Sequence, residues 1–417
     1  MATDSGPGNR LGTPKSGIAR HAAPHVERRD GRCDQVETKA NARRSTDGGC
    51  VRLRAPEGAL GFGRELLTGA LLVFQPILFH LDLVDVRILY GLPMTASTSP
   101  NLGMCFPREL PAPFVIEVAQ RLEAGGLDQL WVIEDCFYTT APSLAATAFA
   151  HTERLSVGIG ILPAVARNPA ITAMELTTLA ELAPGRLIAG IGHGVQFWME
   201  QMGARTPSPL TTLEEVLTVV RRLLAGERVT FEGREVRMDD VALQPPPSTV
   251  PPVLAGVRGP KSLALAGRAA DGLVLAEGAG PTYVRQSIEQ AGRTGDDTFR
   301  TSVFTALCLT EDRAEAHRLM TPFLAGLLAL PNPGLDAHPH IDEIRERHAE
   351  GGDDALASMP AEWWLELGAI GTLDDIVGHV GGLHAAGASD VAFFPGPTVE
   401  LAREDLDAVA RIRAAIA

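Results

Sequence analysis

Forty consecutive residues decide the fold: LSVGIGILPAVARNPAITAMELTTLAELAPGRLIAGIGHG, from Leu155 to Gly194. Short apolar runs stand near both ends, at Leu155–Ile161 and Leu187–Ile191, and the segment between them is long enough for a helix. A strand, a helix and a second strand in this order are typical of the βαβ unit, in which the two strands run parallel. The stretch therefore predicts a parallel sheet covered by helices.

The same alternation continues on both sides of this stretch. The predicted strands are Leu102–Phe106, Gln129–Glu134, Leu155–Ile161, Leu187–Ile191, Val253–Ala255, Gly272–Ala276, Ser302–Leu309 and Ser389–Phe394. Eight strands with intervening helices favour a (β/α)8 TIM barrel of the α/β class, with insertions, over an open doubly wound sheet, which usually has fewer strands.

The segments between the strands carry helix signals. Apolar residues recur at helical spacing in two of them, at Val115, Val118, Ala119 and Leu122 and at Leu213, Val216, Leu217 and Val220. The patterns Thr211-x-x-Glu214 and Thr372-x-x-Asp375 predict capping boxes at two helix starts.

Two stretches interrupt the repeat. Residues 226–250 contain VTFEGREV at 229–236, which predicts a short hairpin followed by a proline-rich loop. Residues 329–371 are rich in Pro, His and acidic residues, and they predict a late insertion of the kind that covers an active site.

Composition excludes several classes of protein. The chain has 417 residues, of which 45% are hydrophobic and 21% charged, so a disordered chain and a disulfide scaffold are excluded. The net charge of -14 argues against nucleic-acid binding. The five cysteines are few and lack metal-ligand spacing, which fits a reducing cytoplasm and no metal site.

Residues 1–93 differ from the rest of the chain. They carry a net charge of +3 against -17 for residues 94–417, and their polar first half has no sustained period, so we expect disorder or a non-native extension. The apolar run at 71–89 contains Pro76 and four charged or histidine residues, which argues against a membrane span. The first thirty residues are too polar for a signal peptide. We expect the barrel in residues 94–417, with Met94 a candidate for the natural start.

Active sites of such barrels lie at the C-terminal ends of the strands. The fifth predicted strand ends in AGVRGPK at 255–261, where Gly256 and Gly259 permit close approach of a ligand. Arg258, Lys261 and the amides that begin the next helix favour an anion, which predicts a phosphate site. The alternative is an ordinary turn that favours glycine. The glycine-rich third and fourth strand ends predict room for a flat ligand, or else close packing.

Residues 101–310 carry several motifs in a fixed order: Ala119-x-x-Leu-Glu-x-x-Gly-Leu-Asp-x-Leu-Trp131, Glu134-Asp135, Gly158-Ile-Gly160, Arg167-Asn-Pro169, Pro184-Gly-Arg186, Gly190-Ile-Gly-His-Gly194 and Gly259-Pro-Lys-x-x-x-Leu-Ala-Gly-x-x-Ala-Asp-Gly272. Together these motifs resemble those of the bacterial luciferase-like flavin and deazaflavin oxidoreductases, in particular the coenzyme F420-dependent branch that includes methylenetetrahydromethanopterin reductase. Residues 1–93 match nothing in this family.

The resemblance implies a set of cofactor-binding residues. The cofactor phosphate would be held by Gly256, Val257, Arg258, Gly259, Pro260 and Lys261. The third strand would form a bulge against the cofactor ring, often through a non-proline cis peptide, at Gly158, Ile159, Gly160 and Ile161. Asp135 and Cys136 would face the ring, and Gly194 would lie beside the cofactor.

The sequence departs from the family pattern at two positions. Several F420-dependent relatives have Asp-His on strand two, where this chain has Asp135-Cys136. The F420-dependent sugar-phosphate dehydrogenases have an acid after the glycine-rich fourth strand, where this chain has Val195, which argues against that substrate.

The candidate catalytic residues are Asp135, Glu134 and His193, since carboxylates and imidazoles at a barrel mouth serve as acids and bases. The alternatives are that one of the two carboxylates caps the next turn and that His193 is structural. Cys136 is either a ring-facing thiol or a small buried hydrophobe. Arg167 is either a ligand for an anionic cofactor tail or part of a surface ion pair.

The resemblance implies an F420-dependent hydride transfer to or from a small organic substrate. The alternatives are an FMN-dependent luciferase-like monooxygenase, a non-catalytic flavin-binding paralogue, and a barrel with an unrelated phosphorylated ligand. We expect a cytoplasmic protein, a small-molecule partner, no nucleic acid, no membrane, and a homodimer as a candidate assembly.

Overall fold

The computed structural model describes residues 99–416. This part of the chain contains eleven strands: β1 (Asn101–Phe106), β2 (Gln129–Val132), β3 (Ser156–Pro163), β4 (Leu187–Gly192), β5 (Val229–Glu232), β6 (Arg237–Val241), β7 (Val253–Gly256), β8 (Gly272–Leu275), β9 (Arg300–Leu309), β10 (Ala369–Gly371) and β11 (Asp390–Phe394). Eight of them form a closed parallel barrel in the order β1, β2, β3, β4, β7, β8, β9, β11, and β11 pairs with β1. The predicted TIM barrel is therefore confirmed.

Helices surround the barrel. After a 3-10 turn at Ala112–Phe114, the described chain has α1 (Val115–Ala124), α2 (Ala141–Ala150), α3 (Pro169–Leu182), α4 (Gln196–Gln201), α5 (Pro209–Leu224), α6 (Pro260–Ala269), α7 (Pro281–Gln290), α8 (Arg313–Leu328), α9 (Pro333–Asp336), α10 (Ile341–Ala357), α11 (Ala361–Trp364), α12 (Leu373–Ala385) and α13 (Val399–Ile416). The apolar residues predicted for α1 and α5 are buried, so both helices pack as expected.

All eight predicted barrel strands are present, with small differences at their ends. β2 ends at Val132, whereas β3 continues to Pro163 and shifts register against β4 between Ile159 and Leu162. The prediction missed β10, whose three residues pair with the end of β9. A strand of three residues is too short to carry an alternating pattern.

The barrel interior is filled by side chains. The Trp131 and Phe304 rings meet edge to face with their centroids 5.0 Å apart, and Phe394 lies 5.9 Å from Phe304 in the same manner. The other buried members of this interior cluster are Cys105, Ile133, Ile188, Leu254, Val274 and Ala392. Such layers of side chains make the barrel a packed core rather than a pore.

One predicted capping box is confirmed and the other is wrong. Thr372 and Asp375 form a reciprocal capping box at the start of α12. Thr211 and Glu214 instead lie inside α5, which begins at Pro209. Proline favours the first position of a helix, so it outcompeted the later threonine as a start signal. Glu214 binds Arg268 of α6 across a distance of 2.8 Å.

The interruptions fold differently from each other. The predicted hairpin is confirmed as β5 and β6, which pair antiparallel, although β6 begins at Arg237. The late insertion, residues 329–371, contains α9, α10, α11 and β10, which share a second apolar cluster with α8. No described residue of this insertion lines the large cavity at the barrel mouth, so the expected cover over the site is wrong. The insertion instead contacts the loop after β8, where the Asn332 side chain donates to the Glu277 carbonyl at 3.4 Å.

The N-terminal end of the barrel holds a buried carboxylate. Asp390, at the start of β11, is 0% exposed and accepts hydrogen bonds from Asn101, Gln129, Ser302 and both Nε and Nη2 of Arg300, at 2.6–2.8 Å. Burial opposes its charge, but the hydrogen bonds and charge of Arg300 and the other donors outweigh burial and lower the pKa of Asp390. Every oxygen of this carboxylate is therefore satisfied within the protein.

The predictions for residues 1–93 lie outside the described residues. Within residues 99–416, no helix is both long and apolar enough to cross a membrane.

Candidate functional site

A cavity of about 1110 Å³ opens at the C-terminal ends of the barrel strands. The segments after β1, β2, β4, β7, β8 and β11 line it, together with the end of β3. Its floor is apolar, whereas charged residues stand on its walls, which is the usual composition of a small-molecule site. The predicted position of the active site is thus occupied by a large cavity.

One wall is the loop from β7 into α6. Gly259 precedes the helix with φ +80°, Pro260 takes the first helical position, and Lys261 and Ser262 of the first turn line the cavity. A Cβ atom on Gly259 would have no neighbour within 4 Å, so the space before the helix is open. Free amides of the first turn and the charge of Lys261 favour an anion in this space.

Arg258 adds a second positive charge to this wall. Its guanidinium lines the cavity and lies 3.7 Å from the Glu277 carboxylate on the neighbouring β8 loop. Val257 also lines the cavity, and Gly256 ends β7 at its edge, whereas Pro260 is not among the lining residues. The loop therefore presents its charges and amides, rather than the proline ring, to a ligand.

His193 is held on both ring nitrogens. Nδ1 lies 3.2 Å from the Pro209 carbonyl and Nε2 lies 3.0 Å from the Ser262 hydroxyl. Because a carbonyl only accepts, Nδ1 carries the proton, and Nε2 of the neutral ring accepts from Ser262. Burial lowers the pKa of His193, which keeps the ring neutral, although the bond to Pro209 opposes this shift. His193 thus fixes Ser262 at the start of α6.

The end of β3 forms the bulge that the resemblance implies. The Gly160–Ile161 peptide is cis, and both residues line the cavity. The Ile161 side chain lies against three glycines of the neighbouring strands. A Cβ on Gly190 would come within 3.0 Å of Ile161 Cγ2 and one on Gly256 within 2.5 Å, while one on Gly192 would overlap Cδ1. These glycines therefore make room for Ile161, which forms an apolar floor.

The other β3 glycines also make room for the protein itself. A Cβ on Gly158 would overlap the Trp131 ring, and one on Gly160 would lie 2.7 Å from Phe304. Gly158 and Ile159 are not among the cavity-lining residues, and Ile159 is buried on the helix side of the sheet. Close packing, the alternative raised from the sequence, therefore explains Gly158 and Gly160. Gly194, at φ +70°, lines the cavity.

Both carboxylate oxygens of Glu134 accept hydrogen bonds from neighbouring residues. Its two oxygens accept from Arg167 at 2.5 and 2.9 Å, and Oε2 also accepts from the main-chain N–H of Ala141, the first residue of α2. Arg167 binds Glu175 as well, at 3.1 Å, and does not line the cavity. One carboxylate of the Glu134-Asp135 pair therefore caps the next helix, the alternative raised from the sequence.

Asp135 faces the cavity in a cluster of charges and aromatic rings. Its Oδ2 accepts from Arg108 at 3.0 Å. The Arg108 guanidinium lies 5.2 Å from the Tyr138 ring centre and 5.8 Å from that of Trp198. Burial raises the pKa of Asp135, although Arg108 partly opposes this shift. The pair combines a partly desolvated carboxylate with a fixed cation.

Cys136 follows Asp135 but is not among the cavity-lining residues. Its side chain is half-buried, and its peptide bond to Phe137 is cis. Burial and then the nearby charges of Glu134 and Asp135 raise the pKa of Cys136, so the thiol stays protonated at neutral pH. A neutral thiol is a weak nucleophile.

The family model of luciferase-like monooxygenases matches residues 94–390, well over half of the chain. The chain belongs to this family. The family resemblance seen in the sequence motifs is therefore confirmed, and the barrel and its cavity are those of a luciferase-like protein.

Among the relatives of this luciferase-like chain are proteins named as reductases and as F420-dependent dehydrogenases. The 5,10-methylenetetrahydromethanopterin reductase of Methanolobus tindarius is 29% identical over 305 residues, which are 70% of this chain and 93% of the relative. An F420-dependent glucose-6-phosphate dehydrogenase of Kineococcus radiotolerans is 32% identical over 250 residues, 55% of this chain and 73% of the relative. The structure of coenzyme F420-dependent tetrahydromethanopterin reductase from Methanopyrus kandleri covers 75% of this chain and 98% of its own with TM-score 0.62 and 19% identity, which shows the shared fold.

The cavity residues that the sequence did not single out include Arg108, Ser262, Glu277 and Phe304. Arg108 and Glu277 follow predicted strands, Phe304 lies within one, and Ser262 comes one residue after the predicted phosphate loop. Their position relative to the predicted strands is therefore a signal that could have found them. The sequence alone does not single them out, because they belong to no recognised motif.

Proposed function

We propose that this luciferase-like protein is an oxidoreductase that uses coenzyme F420 to transfer a hydride to or from a small organic substrate. The observation that carries the proposal is the open anion-binding start of α6 beside the Ile161 bulge, within one cavity of about 1110 Å³. A deazaflavin cofactor combines a flat ring with a phosphate, so it requires both features together. The relatives named as F420-dependent support the same choice.

The residues present fit such a cofactor. The space before Gly259 is open, and Lys261 and the first-turn amides, including the main-chain N–H of Ser262, would hold the phosphate. Ile161 would lie against the ring as an apolar support, and Asp135 with Arg108 would face the ring from β2 and β1. When bound, the cofactor supplies the two-electron hydride chemistry, and the protein supplies binding and electrostatics.

The remaining residues would select the substrate and exclude water. Trp198, Phe394 and the two prolines at 395 and 397 line the outer cavity. Val195 also lines it, in the position where the sugar-phosphate dehydrogenases have an acid, so we propose an organic substrate without a sugar phosphate. Apolar walls strengthen the electrostatic interactions inside the cavity because they keep water out.

FMN is the second candidate cofactor, and its supporting observation is the family itself, which is named for monooxygenases. FMN also has a flat ring and a phosphate, so the α6 start and the Ile161 bulge suit it equally. A flavin-binding paralogue without turnover remains the third candidate.

The deciding experiment is a parallel absorbance and fluorescence titration of the full chain with F420 and with FMN. We expect saturable F420 binding, weaker at high salt because the α6 site recognises an anion. Reduced F420 should then be oxidised by a member of a panel of small organic acceptors. Failure to bind either cofactor would overturn the proposal and favour an unrelated phosphorylated ligand. FMN binding alone would move the assignment to the second candidate.

We further propose a cytoplasmic homodimer that binds no nucleic acid. Three apolar residues on one face of α3 support the dimer: Ile171, Met174 and Leu182 are 46%, 54% and 61% exposed. The net charge of -14 opposes binding to a phosphate backbone. Sedimentation of the wild type and of Met174→Glu tests the dimer, since a charge on this face should produce a monomer. Two monomeric samples at micromolar concentration would refute it.

A further inference from the structure

Four acidic residues line the cavity, and one differs from the other three. Glu109 and Asp135 bind Arg108 at 2.9 and 3.0 Å, and Glu134 is held by Arg167. Glu277 has a looser partner, Arg258, at 3.7 Å, and its side chain is 28% exposed. Among the described cavity carboxyls, Glu277 is therefore the one without a close ion pair.

The position of Glu277 is built into the fold. The residue follows β8, and its carbonyl accepts from Asn332 of the insertion. The next residue, Gly278, has φ +88°, and its Cβ would lie 2.8 Å from Asn332 Nδ2. A Cβ on Gly334 would come within 2.6 Å of the Gly278 carbonyl oxygen. The insertion thus packs tightly against the loop that carries Glu277.

Glu277 also lies across the barrel from strand two. In the barrel order, β8 is four strands away from β2 in either direction, so the two strand ends face each other across the mouth. After β2, several F420-dependent proteins have a histidine where this chain has Cys136, a half-buried thiol outside the cavity lining. The β2 end therefore lacks an imidazole, while the opposite wall offers a carboxyl.

We propose that Glu277 exchanges the proton that accompanies hydride transfer, in place of a group on β2. The inference rests on the proposed function and deepens it. A substrate C=O or C=N carbon accepts the hydride, its π electrons move to the heteroatom, and the Glu277 carboxyl O–H protonates that heteroatom. The bound reduced deazaflavin would supply this hydride, its ring N–H proton would leave to water, and the Glu277 carboxylate would take a proton back from water, so that atoms and charges balance. In the reverse direction the Glu277 carboxylate takes the proton from an alcohol or amine as its C–H hydride leaves to the oxidised cofactor.

The charges that face Glu277 agree with this role. Burial raises the pKa of Glu277, a hydrogen bond from its own main-chain N–H and the charges of Arg258 and Arg108 oppose the shift, and the charge of Asp135 adds to it. Beneath it, burial and Glu277 together raise the pKa of Cys105, which stays a neutral thiol. A carboxyl with a raised pKa holds its proton closer to neutral pH, as a general acid requires.

The test compares Glu277→Gln, Glu277→Asp and the control Glu289→Gln, which makes the same change at an exposed position on α7. Infrared difference spectra of the F420-loaded protein over a pH titration report protonated carboxyl groups directly. In the wild type and the control, we expect the C=O band of a protonated carboxyl group to persist at pH values above the range in which glutamate usually titrates. This band should be lost in Glu277→Gln.

Turnover gives the second measurement. With the panel acceptor that the wild type reduces, kcat should fall by about 10²-fold or more in Glu277→Gln while the F420 dissociation constant stays within about twofold. Glu277→Asp should recover part of kcat. The rate of substrate reduction should fall as the pH rises above the Glu277 pKa, since the acid form is needed. This alkaline limb of the pH–rate profile should be absent in Glu277→Gln.

The two proposals fail in different ways. If neither F420 nor FMN binds, the proposed function is wrong, and the infrared titration of the cofactor-free protein still measures the Glu277 proton. If F420 binds and turns over but Glu277→Gln keeps the wild-type kcat and pH profile, or the infrared band persists, then Glu277 does not exchange the proton.

Discussion

Buried carboxyl groups at the two ends of the barrel differ in their hydrogen-bond partners and in the direction of their pKa shifts. At the N-terminal end, Asp390 is completely buried and hydrogen-bonded by four side chains, and its pKa is lowered. At the C-terminal end, Asp135 and Glu277 are partly buried with one cationic side chain each, and burial raises both pKa values. The same chemical group is satisfied at one end and left incompletely satisfied at the other.

This difference separates stability from function within one fold. A satisfied carboxylate holds strands together, since Asp390 links β11 to β1, β2 and β9 through its donors. A carboxyl with few partners is less useful for stability, but it can exchange a proton or meet a ligand. Substitutions at the two ends should therefore affect different measurements.

The largest expected effect is that of Asp390→Asn on stability. Removing one partner from a buried ion pair leaves Arg300 without its counter-charge, which lowers the free energy of unfolding by about 3–5 kcal/mol. The pKa of Asp390 is lowered in the folded state, so its contribution is present above the unfolded pKa and is lost as pH falls through the folded value. Urea unfolding at neutral and acidic pH measures both effects.

The surface variant Asp407→Asn is the control for this prediction, because that side chain is 80% exposed beside Arg121. A wild-type unfolding midpoint in Asp390→Asn would mean that the network at the N-terminal end carries little stability.

Next comes Gly259→Leu at the opposite end, which should weaken F420 binding by several kcal/mol. The new side chain would occupy the open space before α6, and φ +80° with ψ 154° is a conformation essentially restricted to glycine, so strain of about 1–3 kcal/mol is added. Gly295→Leu is the control, because Gly295 also has a positive φ of +77° and open surroundings away from the cavity. Both variants should lose stability, and only the first should lose affinity. Equal F420 affinity in both would remove the β7 loop from the site.

Asp135→Asn should reduce single-turnover oxidation of the bound reduced cofactor by about 10²-fold, because Asp135 acts through its charge beside the ring rather than through proton transfer, and stability should change little. The substitution keeps the shape of the side chain but removes the charge that faces Arg108. Cys136→Ser should be much milder, since the neutral thiol lies outside the cavity lining. If the two variants are equally inactive while folded and loaded, the roles assigned to this pair are wrong.

The smallest effect should be that of Arg258→Ala, about tenfold in F420 affinity, because one charge leaves while the α6 amides remain. The same change removes the cation nearest Glu277 and should raise its pKa further. The alkaline limb of the reduction rate would then move to higher pH. A limb that stays in place or moves to lower pH would show that Arg258 does not act on Glu277.

The sequence predicts the barrel well because strand and helix periods are local. The sequence also predicts the anion site on the β7 loop, because glycines and cationic residues directly before a helix, at Gly256–Lys261, indicate such a site without any distant contact. The glycines themselves were ambiguous, because Gly158 and Gly259 look alike until their neighbours in space are known. Gly158 makes room for the Trp131 ring, whereas Gly259 has open space around it at the start of α6.

Long-range contacts account for the remaining differences. Nothing near Asn332 in the sequence indicates that it binds the Glu277 carbonyl, 55 residues away. The insertion was therefore expected over the cavity, although it packs behind the cavity wall. Similarly, the two partners of His193, Pro209 and Ser262, are 16 and 69 residues away, so its tautomer could not be read from the motif.

The contact between the insertion and the β8 loop has a consequence for protein engineering. Asn332 and Gly334 hold the main chain beside Glu277 from outside the cavity, so no surface that a substrate would touch belongs to the insertion. Libraries restricted to residues 329–371 could therefore adjust the placement of an acid at the barrel mouth while leaving the shape of the binding pocket intact. Rate and substrate range would become separately selectable traits in this scaffold.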